Sequence, residues 1–423
     1  MMPAEAVIGL QWGDEGKGRV VDLLARDADV VVRYQGGANS GHTVVVNGRE
    51  RIFHQVPCGV LHPHVEGVLG CGMVINPEKL IEEVDELAQA GVHVEDRMWI
   101  SGRAHVVLPY HMGFETAVEE ILENGCVGTT RRGIGPAYAD KALRVGLRTG
   151  DLLDSSTLET KIAAAVRSKA IAGTAFLEEF EPAVLSERCL SAADRLKPFI
   201  ADTAVKVLDH LDRGSRVLLE GAQGVLLDID RGTYPYVTSS SCGAAGACLG
   251  SGVPPSRLDR VLGVTKAYAT RVGNGPFPSE MASDMAEHVR KQGNEYGATT
   301  RRPRRCGWFD GIAAAYAVRL NGVDRLVVTK LDVLGGLPSI KLCVAYRDGG
   351  TLLKHLPASA SALARCEPVY EEMEGWEGDL SDARSVEELP PPALQYLRRI
   401  EELAGAPLWM VSVGPQRDQY LRF

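Results

Sequence analysis

The chain has no Cys-x-x-Cys pair, no apolar run of membrane-spanning length, no internal repeat and no surplus of positive charge. Its nine cysteines are scattered and odd in number, so neither a zinc site nor a disulfide framework is signalled. Most of them read as small buried hydrophobes of a reducing compartment. No stretch approaches the roughly 20 apolar residues that a bilayer requires, which excludes a membrane partner held by a spanning helix. The opening residues Met1 to Gly18 turn polar and glycine-rich before a secretory apolar core develops, which points to the cytoplasm. A net charge of -9 argues against nucleic acid on a broad basic face. The basic clusters Arg131-Arg132 and Arg301, Arg302, Arg304, Arg305 therefore read as features of a site.

What is present is 45% hydrophobic and 24% charged residues over 423 positions, the ordinary usage of a globular chain. One elaborated α/β domain over 1–423 accommodates it. Ala6 to Leu10 reads as a buried strand, a glycine-punctuated turn follows, and Val20, Leu23, Leu24 and Ala28 recur at helical spacing. With Val30 to Tyr34 as a second strand, the segment has the length of a βαβ unit and predicts a parallel sheet. Asn47-Gly48 between Thr43–Val46 and Arg51–Gln55 predicts a hairpin. Asn76-Pro77 predicts the start of a helix that ends near Gly91. The stretch of about 110–211 reads as a helical insertion, with Lys161–Ala172 and Ala192–Leu211 rich in helix formers. Strands resume at Val217–Leu219, Arg325–Thr329 and Leu408–Val411, each followed by a polar or glycine-rich loop of the kind that binds ligands at a sheet's carboxyl edge. Glu371 to Pro392, acidic and proline-containing, reads as solvated connection.

Two loops carry chemistry. Gly9 to Gly18, GLQWGDEGKG, leads into a helix whose free N–H groups suit phosphate. It is no Walker A, being two residues too long and ending in Gly18 where a magnesium-binding hydroxyl is expected. Asp14 inside an anion nest is repulsive unless it binds a metal or accepts a proton. Arg33 to His42, RYQGGANSGH, is a second glycine-rich loop after a strand, although an isolated histidine at a strand end also reads as a merely satisfied one.

QWGDEGKG and RYQGGANSGHT, then GTTRRGIGPAY from Gly128, EGAQG from Glu220, LDIDRGTYPYVTSS from Leu227, GNEYGATTRRPRRCGW from Gly293, TKLDVL from Thr329 and VSVGP from Val411, resemble the ordered signatures of the adenylosuccinate synthetase family. The resemblance runs from Val7 to Pro415. It implies a three-layer α/β fold of P-loop NTPase type with a mainly parallel central sheet, helices on both faces and a helical insertion. It also implies a purine-pathway ligase that joins inosine monophosphate (IMP) to L-aspartate with GTP, by way of 6-phosphoryl-IMP, and releases GDP and phosphate.

By that resemblance Asp14 is the base at N1 of IMP, His42 the acid at O6 and Gln223 an orienting residue. One Mg²⁺ per subunit is held by Asp14 and the Gly41 carbonyl. GTP falls to Gly13, Asp14, Glu15, Gly16, Lys17, Gly18, Gly41, His42, Thr43, Arg304, Lys330, Leu331, Asp332, Ser412, Val413 and Gly414, with Asp332 accepting from guanine. IMP falls to Asp14, Lys17, Asn39, Ser40, Gly41, His42, Thr130, Arg144, Gln223, Thr238 and Arg302, with Arg144 shared across a homodimer. Aspartate falls to Ala298, Thr299, Thr300, Arg301, Arg302 and Arg304, whose forked guanidinium groups suit two carboxylates. Two departures stand out: Arg301 where glycine is usual, and TSSSCGAAG after Thr238. Two other readings remain at this level: a guanine-nucleotide switch that performs no synthesis, and a ligase of other substrates on the same scaffold.

Overall fold

The computed structural model describes residues 4–46, 48–122, 127–170, 180–297 and 301–423. Ten strands form its main sheet: β1 (Ala4–Gly9), β2 (Val30–Arg33), β3 (Glu66–Leu69), β4 (Met98–Ser101), β5 (Ile200–Ala201), β6 (Val217–Glu220), β7 (Leu258–Lys266), β8 (Arg325–Thr329), β9 (Leu408–Ser412) and β10 (Tyr420–Arg422). Their spatial order is β10-β9-β8-β7-β1-β6-β2-β3-β4-β5, and every pair is parallel except β9 with β10. The expected α/β fold with a mainly parallel sheet is therefore present.

Side chains alternate across a strand, so an apolar strand feeds two cores at once. Ala6, Ile8, Val30, Val32, Leu219, Leu326 and Val328 point into one core, with helices Thr203–Asp212, Ala244–Ser251, Gly311–Asn321 and Pro391–Ala404 laid over it. Val7, Val31, Leu218, Val264 and Val327 point into the other, covered by Lys17–Ala25 and Pro77–Gln89. The second of those helices starts as its sequence predicts, with the Asn76 side chain accepting from the Lys79 N–H at 3.1 Å. Because the strands run in parallel, the loops after β1, β2, β6, β7, β8 and β9 all emerge at one edge. That shared edge is what gathers the site.

The helical stretch holds Pro109–Leu122, Ser155–Ala170 and Pro182–Leu196 around a small core of Tyr110, Leu158, Ile162, Leu185 and Cys189, while Ile134–Leu143 packs Ile134 and Ala137 against Val74 and Val107. Ala192–Leu211, however, is not one helix. The helix ends at Leu196, a 3₁₀ turn spans Lys197–Phe199, and β5 then pairs with β4. Pro198 lacks the N–H that helix propagation needs. Glu371–Pro392 also differs from expectation. Glu367–Glu374 is a strand paired antiparallel with Ser339–Asp348, and Trp376, Leu380 and Leu389 behind it are buried. Its acidic residues occupy the exposed side of a strand whose paired backbone is indifferent to their charge. The hairpin pairs His42–Val46 with Arg49–Phe53, and Gly48 has φ 71°, while Asn47 lies outside the described residues, as do Ile171 and Ala172. The eight cysteines described are free thiols, seven of them buried. Among the described residues no helix is long and apolar enough to cross a membrane.

Glycine is required where helix Ala244–Ser251 meets the end of β2. A Cβ on Gly250 would stand 1.9 Å from the Tyr34 carbonyl oxygen, and one on Gly72 would stand 2.2 Å from the same atom. Backbone cannot yield as a side chain does. Gly250→Ala is therefore expected to lower stability by about 1–3 kcal/mol, the usual cost of overpacking. Urea unfolding should show the lower midpoint with an unchanged slope.

Candidate active site

The first loop is built around a buried carboxylate. Glu15, fully buried, accepts the N–H groups of Gln11 and Gly13 at 3.0 Å each through Oε1, and Oε2 pairs with Lys17 Nζ at 2.5 Å. Gly9 and Gly224 leave room for it, since a Cβ on either would come within 2.4 Å of its oxygens. The turn passes through left-handed backbone at Gly13, Asp14 and Gly16. Asp14 thus directs its carboxylate out of the loop, where it is 31% exposed and pairs with Arg304 Nε at 2.8 Å.

The absence of a Walker serine has a steric cause. A Cβ on Gly18 would lie 2.6 Å from His42 Cβ, so the place a hydroxyl would occupy is filled by His42. That contact puts the histidine of the second loop against the first turn of helix Lys17–Ala25. Glu220, at the end of β6 and fully buried, receives His42 Nδ1 at 2.5 Å on Oε1 and the Cys58 N–H at 2.9 Å on Oε2. Burial lowers the His42 pKa against the opposing pull of Glu220. Burial also acts to raise Glu220, but the His42 hydrogen bond, with His42 and Arg33 charge, brings it net below the usual carboxylate range. At neutral pH the ring is uncharged and donates Nδ1–H to the carboxylate, and its charge lowers Glu220 only once the ring is protonated.

A second buried carboxylate gathers the cations. Glu295 Oε1 takes Lys266 Nζ at 2.8 Å, Lys330 Nζ at 2.9 Å and the Tyr268 hydroxyl at 2.5 Å, while Oε2 takes Arg304 Nη1 at 2.6 Å. Burial opposes its ionisation, yet the three cations hold its pKa well below the ordinary value. Burial lowers Lys266 to about 8, with Glu295 opposing. Lys330 is left-handed at φ 59°, and its N–H donates to Ser412 Oγ at 3.0 Å. Thr329 Oγ1 donates to the Glu15 carbonyl at 2.7 Å, which ties this loop to the first. Asp332 Oδ1 is buried with no hydrogen-bond partner, and burial raises its pKa. An unsatisfied buried acceptor of this kind is costly and marks a place for a donor.

Gln223, left-handed at φ 56°, accepts from Gln35 Nε2 at 2.8 Å and donates to Asn39 Oδ1 at 3.5 Å. Ser40 Oγ accepts from the buried Arg33 guanidinium. Thr238 sits on the Leu227 carbonyl through its N–H at 2.9 Å. Residues 127–133 are strung on two glutamates: Glu119 accepts from Val127, Gly128 and Thr129, and Glu115 from Gly133. Leu331 and Val413 are core residues, so any ligand contact is through their backbone. Thr43 and Gly41 are half-buried. Gly414 receives Arg19 Nη1 on its carbonyl at 2.6 Å. Thr130, Arg144, Arg301 and Arg302 are exposed, and Ala298, Thr299 and Thr300 lie outside the described residues. Arg301 keeps a glycine-like φ of 53°, so the departure from glycine there leaves the backbone in the left-handed region.

Two oxygen-only donors, the Asp14 carboxylate and the Gly41 carbonyl, match the hard ligands that Mg²⁺ demands. His42, Cys58 and Glu220 also bring possible ligand atoms within 4.8 Å of one another, but a buried imidazole–thiol–carboxylate set is too soft and too dry for Mg²⁺. Sequence reading missed Glu220, Glu295, Lys266 and Arg33 as site residues. Glu220 and Glu295 lay inside the quoted motifs, and a buried acid among basic residues was the available signal.

A family model described as adenylosuccinate synthetase matches residues 6–421. The adenylosuccinate synthetase of Desulforudis audaxviator is 51% identical over 423 residues, covering 99% of this chain and 98% of that protein. That of Moorella thermoacetica is 49% identical over 420 residues, with the same coverage. A solved structure of fully ligated adenylosuccinate synthetase from Plasmodium falciparum superposes with a TM-score of 0.93 at 38% identity, covering 99% of both chains. A cyanophage S-2L succinoaminodeoxyadenylate synthetase bound to dGMP and dATP gives 0.64 at 23% identity, over 100% of this chain and 95% of that one, a likeness of fold alone.

Gly18→Ser would restore a Walker-type hydroxyl at the expense of His42. Turnover is expected to fall by about 10²–10⁴, the worth of a positioned acid or base. The double variant Gly18→Ser/His42→Asn should lose little more than either alone, because contacting residues are not additive. Additive losses in steady-state assays would separate the two positions.

Proposed function

The chain belongs to the adenylosuccinate synthetase family, a ligase family that joins IMP to L-aspartate with GTP, and from that premise we propose how its residues divide the reaction. The observation that carries the reading is the convergence on one sheet edge of an outward carboxylate at Asp14, a carboxylate-held imidazole at His42 and an unsatisfied acceptor at Asp332.

An amide-like oxygen is a poor leaving group until phosphorylated. Asp14 takes the N1 proton of IMP, which makes O6 the nucleophile toward the γ-phosphoryl of GTP. For this the carboxylate must exchange Arg304 for substrate, and the freed guanidinium is placed to meet an incoming carboxylate or phosphate. The GTP phosphates fall to the loop amides that Glu15 leaves free and to Lys17, which must exchange Glu15 for a phosphate oxygen. His42, neutral at rest, takes a proton from solvent as the dianionic phosphoryl arrives, and Glu220 stabilises that charge while fixing the ring. His42 then gives that proton to the departing O6 phosphate as the aspartate amine attacks C6 and sheds its own proton to solvent, which consumes 6-phosphoryl-IMP. Gln223, held by Gln35 and Asn39, orients the base. Mg²⁺, held by Asp14 and Gly41, would supply charge neutralisation for the transferring group.

Guanine falls to Asp332, whose carboxylate accepts from N1–H and the exocyclic amine together. Asn39, Thr130, Thr238 and Arg302 fall to IMP, and Ala298, Thr299, Thr300, Arg301, Arg302 and Arg304 to aspartate. Arg144, left-handed and exposed at the end of helix Ile134–Leu143 beside the 61% exposed Leu143, suits a homodimer in which it reaches the neighbour's IMP. The helical stretch of about 110–211 is an insertion into a single domain that carries this dimer contact. The chemistry belongs to the cytoplasm, where GTP and IMP are made.

The test is an absorbance assay for adenylosuccinate with each of the three substrates omitted in turn. Product should require all three. Asp14→Asn and His42→Asn should each lose at least about 100-fold in kcat, with fluorescent GDP binding retained. Phosphate release that ignores IMP and aspartate would instead favour a nucleotide switch.

Asp332→Asn presents one acceptor and one donor where guanine needs two acceptors. KM for GTP should rise by about 10–100-fold, as expected of 1–3 kcal/mol from an unpaired polar group. Xanthosine triphosphate, with an oxygen in place of the exocyclic amine, should become the better substrate. An unchanged GTP preference would remove Asp332 from the base pocket.

A further inference from the structure

Cys58 has no part in the reaction proposed above, yet its thiol is fully buried against the catalytic pair. Its Sγ lies 3.8 Å from His42 Nδ1, which in turn lies 2.5 Å from Glu220 Oε1. We infer that His42, Cys58 and Glu220 form an inhibitory binding site for a borderline-soft divalent cation of the zinc class.

The three ligand atoms come from three different and firmly seated elements. His42 begins the hairpin strand and packs on Gly18, Glu220 ends β6, and Cys58 opens the 3₁₀ turn Cys58–Leu61. That turn is pressed on β2, since a Cβ on Gly59 would stand 2.3 Å from a Val31 methyl. The Cys58 N–H on Glu220 Oε2 further fixes the carboxylate. A cation therefore meets a site whose ordering is already done, needing only a small rotation of the Glu220 carboxylate away from the ring. Zinc bonds of about 2.3 Å to sulfur and about 2.0 Å to nitrogen span the distance between Sγ and Nδ1.

The donor set decides which cation. One thiolate, one imidazole and one carboxylate suit zinc or cobalt, and disfavour Mg²⁺, which wants oxygen and water. Charge also balances. Binding releases the Cys58 proton to buffer and moves the His42 proton from Nδ1 to Nε2, so the two anionic ligands, thiolate and carboxylate, offset the dication beside Arg33 and Lys17. Metal binding itself does not depend on the role assigned to His42. Loss of turnover on loading does, because the metal would take Nδ1 and Glu220 out of the acid pair.

Purified protein, reduced and stripped of metal, is titrated with CoCl₂, with MgCl₂ as control. A thiolate-to-cobalt charge-transfer band should appear with CoCl₂ and be lost in Cys58→Ser and Cys58→Ala, of which either folded variant suffices. In the turnover assay, at fixed excess Mg²⁺ and GTP, ZnCl₂ should inhibit and EDTA should restore. Each variant, referred to its own uninhibited rate, should need at least about tenfold more zinc, the low end for disturbing a metal ligand's surroundings. A missing band, or a band and inhibition that persist unchanged in both variants, would overturn the site. A Cys58-dependent band without inhibition would overturn the inhibitory claim and the role of His42 with it.

Discussion

One buried carboxylate, Glu295, is the contact on which the ligand edge depends. It joins Lys266 at the end of β7, Lys330 just after β8 and Arg304, and through Arg304 it reaches Asp14. Burying one such charge alone costs several kcal/mol, and breaking a buried pair about 3–5 kcal/mol, so these segments hold together or fail together. Four stretches far apart in the chain are thereby registered to one another before any substrate arrives. The same linkage means that whatever draws Arg304 from Asp14 also acts on Lys330.

The first two loops show a complementary logic, in which space and charge are allotted by small residues. Glu15 occupies the interior of the first loop and takes two of its N–H groups, which ties the loop backbone to one carboxylate. Gly18 surrenders the hydroxyl of an ordinary phosphate loop and receives a histidine instead. The reading proposed above leaves the metal to Asp14 and Gly41 and the purine to His42. The arrangement pays with a buried imidazole, which Glu220 compensates.

Much of this was legible in the chain. The strand, loop and helix of residues 6–34 follow from apolar alternation and glycine, and Asn76-Pro77 caps its helix as its residue types require. The order of motifs identified the family. Other features were not legible. Pro198 breaks a helix that composition favoured, because β5 finds an open edge on β4. Glu367–Glu374 joins a sheet despite its acids, because its partner strand Ser339–Asp348 lies far from it in sequence.

The sequence by itself determined the local matters: the strand, loop and helix that open the chain, the cap at Asn76-Pro77, and which family the chain resembles. These rest on periodicity and residue type, which act within a few positions. Tertiary structure alone decided that Glu220 would hold His42, that Glu295 would gather Lys266, Lys330 and Arg304, and that Cys58 would lie against the imidazole. Each of these is a meeting of side chains separated by 9 to 178 positions. No local rule governs such encounters, because they depend on strand order in the sheet and on the cost of leaving a buried charge without a partner.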